Sequence, residues 1–207
     1  MTVTALGARR PVLADALVRR RSVVTDIALI LAGTLLVALL AQVEVPLWPV
    51  PVTGQTLGVI IVGATLGSWR GATSLLVYMG AGLAGAPIFA SFTGGPLAVL
   101  KPSFGFIIGF VFAAFLAGWL AERNWDKKFW LALLGFILAS IVPFVFGVPY
   151  LAVVLGNMGL DNSFGAVMAA GVTPFIVGGV VKALIAAIAI PLAWKGVRSL
   201  DSKKDDR

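Results

Sequence analysis

The chain has 207 residues, of which 59% are hydrophobic and only 12% charged, with a formal net charge of +7. A water-soluble domain carries about 25% charged residues, so this composition lacks the polar exterior of a soluble protein and marks an integral membrane protein. With no cysteine and no histidine, disulfides, thiol chemistry and imidazole metal sites are excluded and the usual general base is missing.

In chain order, residues 1–22 read as a polar, arginine-bearing cytoplasmic segment. Arg9, Arg10 and Arg19 to Arg21 precede an apolar run of spanning length, without the small-residue cleavage site of a secretory signal. The first span is expected from about Val23 to Val43. It carries Ala28, Ala32, Gly33, Ala38 and Ala41, small residues at helical spacing that allow a partner helix to approach. The stretch Glu44 to Thr56 follows, and its prolines at 46, 49 and 51 forbid regular helix. Trp48 in this loop reads either as an interfacial aromatic or as the cap of a cavity.

A second span is expected from about Thr56 to Trp69, with Arg70-Gly71 as a tight connection to a third that ends near Ala84. Both are short for a bilayer, so tilt or local thinning is expected. Residues 85–102 form a second irregular loop, containing Phe89, Ser91, Gly94 and Gly95 and ending at Lys101-Pro102. Span four runs from about Ser103 to Ala121, and a charged connection over 122–128 leads to span five, Phe129 to Leu155, with kinks expected at Pro143 and Pro149. A third loop covers 156–166. Span six runs from about Val167 to Trp194, and 196–207 is a charged cytoplasmic tail.

This reading gives an all-α, six-helix membrane bundle over residues 23–195. An even number of spans puts both termini on one side, and that side then holds fourteen of the Lys and Arg residues against Lys101 alone on the other. By the positive-inside rule both termini are cytoplasmic and the three structured loops face outward.

Catalysis is not expected. There is no phosphate-binding glycine–lysine loop, and no carboxylate lies in the middle of a span. The residue that asks for an explanation is Lys182, on a span with Gly178 and Gly179 one turn before it. It lies roughly 12 Å into the membrane if the span enters near Pro174, where a lone cation costs roughly 2.5–3.5 kcal/mol on insertion scales. Either its stem snorkels to the interface, or its amine is the counter-charge to an anionic ligand at the floor of an outward cavity, with the glycine pair leaving space above it.

The run Val50-Pro-Val-Thr-Gly-Gln-Thr-Leu-Gly58 resembles the outer loop and second span of the BioY family, the biotin-specific substrate-binding (S) components of energy-coupling factor (ECF) transporters. The similarity continues through Gly67-Ser-Trp-Arg-Gly-Ala-Thr-Ser74 and Tyr78-Met-Gly-Ala-Gly-Leu-Ala-Gly-Ala-Pro-Ile-Phe89. It resumes at Gly94-Gly95, Gly109-Phe110, Ala121-Glu122-Arg123 and Pro174-Phe-Ile-Val-Gly178 with Lys182. No single match is specific, but their order and spacing are.

The resemblance implies an S-component bundle in the cytoplasmic membrane of a bacterium, with a vitamin site under the first and third loops. It implies no cofactor of its own, ATP being hydrolysed only by partner ABC-type ATPases that act through a transmembrane coupling subunit. Ala28 and Ala32 are the candidate contacts to that subunit, and Lys182 would pair with the biotin carboxylate.

Two positions depart from the family pattern. The family usually has an aspartate three residues before the lysine, where this chain has Gly179, and the family's glycine-proline-threonine-glycine-glycine segment reads Lys101-Pro-Ser-Phe-Gly105. Replacement polar contacts are therefore sought among Thr53, Gln55, Ser91, Thr93, Tyr150 and Asn157, with Gln55 and Tyr150 foremost. The alternatives are an S component for another vitamin or apolar carboxylate, and a stand-alone secondary transporter for small anions.

Overall fold

A long run of apolar and small residues without a charge has no face to show to water, and inside a bilayer it satisfies its own backbone only as a helix. The structure, a computed structural model, describes residues 11–18 and 22–205. It is almost wholly helical: α1 (Leu13–Leu17), α2 (Val23–Ala41), α3 (Gln55–Leu66), α4 (Ser68–Leu83), α5 (Phe104–Ala121), α6 (Phe129–Asn157), α7 (Phe164–Gly171) and α8 (Thr173–Asp205). The one sheet among the described residues is a two-stranded antiparallel ribbon of β1 (Glu44–Val45) and β2 (Val52–Thr53), with Glu44 opposite Thr53. Among the described residues four stretches are long and apolar enough to cross a membrane: α2, α5, α6 and the α7–α8 pair. The chain is a multi-pass membrane protein.

The uncharged helix α5 lies at the centre, buried over most of its length, while α2 is the most exposed of the long helices. Glycines let α5 reach its neighbours' backbones. A Cβ on Gly118 would lie 2.3 Å from the Gly67 carbonyl carbon, and one on Gly109 would lie 2.6 Å from Pro143 Cα. Any side chain at either position would push α5 away from the α3–α4 turn or from α6.

Several expected boundaries shift, each for a local reason. The α3–α4 connection is Gly67 alone, at φ +89°, a conformation that favours glycine. The Ser68 N–H that opens α4 is satisfied by the Glu122 carboxylate at 2.9 Å, so Arg70-Gly71 is the first turn of a helix rather than the connection. The last span is broken at Val172 (φ −125°, ψ −53°). Pro174 has no N–H to bond the Ala170 carbonyl four residues back and its ring crowds that carbonyl, so the helix breaks and α8 begins afresh with proline in its first turn. Helix α8 then continues past Trp194 to Asp205, and α6 is one continuous helix through both Pro143 and Pro149.

The N-terminal segment also differs from the peripheral reading. Val12, Leu13 and Ala14 are buried, the first two in a cluster with Ala64 of α3 and Ala183, Ala187, Ile190 and Trp194 of α8. Arg9, Arg10 and Arg19 to Arg21 lie outside the described residues. Charged pairs collect at this end of the bundle: Arg70 meets Asp15 and Asp26, each at 2.9 Å, and the Trp194 indole donates to buried Asp126 at 2.5 Å. The ribbon and the 85–102 loop close the opposite end, and the cavity lies there.

Candidate functional site: an apolar cavity with a lysine

The cavity-end loops are held by amides and hydroxyls. Gln42, capping α2, donates from Nε2 to the Phe89 carbonyl (3.1 Å), and its Oε1 accepts from the Phe92 N–H (2.9 Å). The Ser91 hydroxyl donates to Glu44 Oε1. These bonds hold Ser91 and Phe92 at φ 56° and 52°, a left-handed pair that non-glycine residues seldom adopt unless surrounding structure enforces it. Beneath them the Phe89 ring stands edge-on to Tyr78 (5.4 Å between centroids) over Gly82, where a Cβ would lie 2.2 Å from the ring.

A buried polar relay joins the ribbon to α4. Thr53 Oγ1 donates to Gln55 Oε1 (2.8 Å), Gln55 Nε2 donates to Tyr78 Oη (2.7 Å), and Tyr78 Oη donates to the Ile88 carbonyl (3.1 Å). Gln55 is therefore engaged in bracing the loops. Lys182 reaches the same place from α8. Its amine donates to the Thr53 carbonyl (2.5 Å) and Thr56 Oγ1 (3.0 Å), both neutral acceptors, and no carboxylate forms an ion pair with it among the described residues.

Around this amine lies a cavity of about 300 Å³. Trp48, Thr53, Gln55, Phe89, Ser91, Thr93, Lys101 and Lys182 all line it. Its remaining walls are mostly apolar, and three rings form one side. Phe106 and Phe175 stack with centroids 6.0 Å apart, and Phe144 stands edge-on to both, at 5.7 and 6.0 Å.

Other candidate residues lie elsewhere. Tyr150 donates its hydroxyl to the Val99 carbonyl and packs on Phe104, so its polar tip is spent behind the cavity wall. Gly94 is a close approach, where a Cβ would lie 2.2 Å from the Ala86 carbonyl oxygen, and Gly95 (φ +97°) turns the chain after it. Gly178 faces Val52 of the ribbon. Gly179 lines a second, almost wholly apolar cavity between α6, α7 and α8, so the helical phase separates it from the amine. Asn157 ends α6 outside the cavity. Ala28 and Ala32 sit exposed on α2.

Sequence reasoning missed Thr56, Phe106, Phe144 and Phe175. Phe175 could have been found, since it lies seven residues before Lys182 and two helical turns return it to the same face. The chemistry of the arrangement is that of a binding site: an apolar, aromatic hollow with two cations, Lys101 and Lys182, and, among the described residues, no carboxylate in its lining. It suits a small apolar molecule that carries one negative charge.

The family model described as "BioY family" matches residues 10–199. The chain is 35% identical over 168 residues to a "Biotin transporter BioY" of Rhizobium etli, covering 78% of this chain and 87% of that protein. It is also 35% identical over 167 residues to a "Probable biotin transporter BioY" of Lysinibacillus sphaericus, covering 79% and 84%. The fold is similar to a crystal structure described as the S-component for biotin from an ECF-type ABC transporter, with a TM-score of 0.60 at 22% identity, over 83% of this chain and 92% of the other.

Proposed function

The chain belongs to the BioY family, and from that premise we propose that it takes up biotin as the substrate-binding S component of an ECF-type transporter. The observation that carries this reading is the placement of Lys182 in an apolar cavity of about 300 Å³, with its amine held, among the described residues, by neutral oxygens alone. Biotin is a compact bicycle, a cyclic urea fused to an apolar thioether ring, with a carboxylate on a four-carbon tail. The amine is the counter-charge to that carboxylate, and the aromatic walls take the rings and methylenes. A charge-assisted bond in a low-dielectric hollow is worth more than its neutral equivalent, so the carboxylate displaces the Thr53 carbonyl and Thr56 hydroxyl as the amine's partner.

The same proposal gives the chain six spans: α2, α3, α4, α5, α6 and the α7–α8 pair, with both termini cytoplasmic. It is supported by the fourteen-to-one distribution of basic residues. Helices α3 and α4, of 12 and 16 residues, extend about 18 and 24 Å, so this pair crosses where the bilayer thins or where loops complete the span. The site then opens outward. Energy comes from partners: ABC-type ATPases hydrolyse ATP and a transmembrane coupling subunit seats against the exposed face of α2 that carries Ala28 and Ala32.

The test is saturable binding of labelled biotin to the purified chain in lipid nanodiscs without ATP. Binding is expected, with no uptake into liposomes until the ATPases and coupling subunit are co-reconstituted. An absence of binding overturns the biotin assignment. Uptake by the chain alone replaces the S-component reading with that of a stand-alone transporter.

A further inference from the structure

The second cavity, of about 550 Å³, adjoins the first and shares two lining residues with it, Phe144 of α6 and Phe175 of α8. It is polar at almost no point. Its one hydroxyl, on Ser140, is already donated to the Phe136 carbonyl one turn back along α6. Ile141, Val145, Ile176 and Val180 form its rim and are exposed where the bundle meets hydrocarbon. A polar head group has nothing to bind there, while a methylene chain meets an almost wholly apolar lining.

Two side chains therefore stand between a small site with cations and a larger hollow without any. Their rings meet edge-on at 6.0 Å, and Phe106 braces both from inside the first cavity. Phe106 is itself seated over Gly147, where a Cβ would lie 2.4 Å from its ring. The helical phase of α8 explains the division. Gly178 faces the ribbon, Lys182 the first cavity and Gly179 the second, while Phe175 lies on the boundary and lines both. Since Phe175 is only half-buried, it closes the partition without being part of the deep core.

We propose that Phe175, with Phe144, sets the length limit of the ligand by closing the cavity of Lys182 against the apolar hollow behind it. The proposal rests on the biotin-site reading above and adds to it a selectivity residue. Removing the ring joins the two spaces and admits ligands with longer aliphatic tails, whose middle methylenes bow into the second cavity while the carboxylate stays on Lys182.

The experiment measures the affinity of biotin and of homologues with one and two added tail methylenes for the wild-type protein, Phe175→Ala, Phe175→Leu and Phe175→Ala/Gly179→Leu, all in nanodiscs. In the wild type, affinity falls with each methylene. In Phe175→Ala the fall is lost, because a methylene reaching apolar lining contributes about fourfold in affinity. The ratio of two-methylene homologue to biotin then rises by about tenfold or more over the wild-type ratio. Phe175→Leu preserves apolar packing with a narrower opening and gives an intermediate ratio, which serves as the readout if the alanine protein does not fold. A Cβ on Gly179 meets nothing within 4 Å, so the added leucine refills the second cavity and restores the wild-type profile.

A tail-length profile unchanged in Phe175→Leu and Phe175→Ala, with biotin still bound, overturns the partition alone. A double variant that stays permissive shows that the tail goes elsewhere and overturns it too. Failure of the wild type to bind biotin overturns the underlying site reading instead.

Discussion

The two ends of the bundle are held together by different chemistry. At one end charge meets charge or a strong donor: Arg70 spans Asp15 and Asp26, Glu122 receives both the N–H and the hydroxyl of Ser68, and Asp126 receives Trp194. At the other end the ties are mostly neutral. Amides and hydroxyls of Gln42, Thr53, Gln55 and Tyr78 fix the loops, and the Lys182 amine donates to two neutral oxygens. The carboxylates named at the first end find donors within the protein, whereas at the second the Lys182 cation has no counter-ion among the described residues. A ligand carboxylate would complete that end.

The sharpest way to break this contrast is to remove the cation. Lys182→Ala is expected to weaken biotin binding by about 10²-fold or more, the scale of losing one partner of a desolvated charge pair, as read by calorimetry in nanodiscs. The paired control is the biotin primary amide, which lacks the negative charge. The wild type should strongly prefer the acid and Lys182→Ala should not. Equal preference in the two proteins would mean that the lysine is structural and the contrast is empty.

The neutral braces come next in size. Tyr78 is fully buried and its hydroxyl both accepts from Gln55 and donates to Ile88. Tyr78→Phe leaves the Gln55 amide N–H unpaired in a dry interior and the Ile88 carbonyl with only its 3.5 Å bond from Gln42, a cost of about 1–3 kcal/mol, seen as a lower thermal unfolding midpoint. Because Gln55 also positions Thr53, whose carbonyl seats the lysine, affinity falls along with stability. At the charged end the two readouts separate. Arg70→Ala breaks both partly exposed ion pairs and should cost about 1 kcal/mol, but biotin affinity should stay within about twofold of wild type. If Arg70→Ala weakened binding as strongly as Tyr78→Phe, the ends would be coupled and the comparison would need a shared element to explain it.

What could be read from the residues follows the same divide. Lys182 is conspicuous in an apolar run, and Thr53 and Gln55 stand out beside three prolines, so the polar half of the site was legible. Span six was expected as one run from about Val167, so the break at Val172 ahead of Pro174 was passed over. The aromatic wall was not legible, because Phe106, Phe144 and Phe175 look like any apolar residue on an apolar helix. Their meeting depends on tertiary packing over Gly147 and on helical phase. Phase also decides Gly179, which sequence spacing put beside the amine and the fold turns into the second cavity. Tyr150 was a fair candidate by type, but its hydroxyl is consumed by Val99. The burial of Val12 to Ala14 leaves no signal in so short a segment.

The smallest effect tests whether any isolated charge stabilises the cavity side at all. In the loop between α6 and α7, exposed Asp161 accepts the Ser163 N–H at 2.9 Å, and that bond holds its carboxyl below the usual aspartate range. A depressed folded pKa means the ionised form is favoured by folding. Its contribution is therefore present above the unfolded value of about 3.9 and is lost as pH falls through the lower folded value. Asp161→Asn retains an acceptor oxygen but removes the charge, so only the charge-dependent part changes. Exchange of the Ser163 amide should be slower in the wild type than in the variant at neutral pH, and the two should converge as the pH drops below about 4. Because the carboxylate is fully solvated, the global unfolding midpoint should not move measurably. A difference that persisted in acid would trace to the shape of the turn, and the cavity end would then owe nothing to an unpaired surface charge.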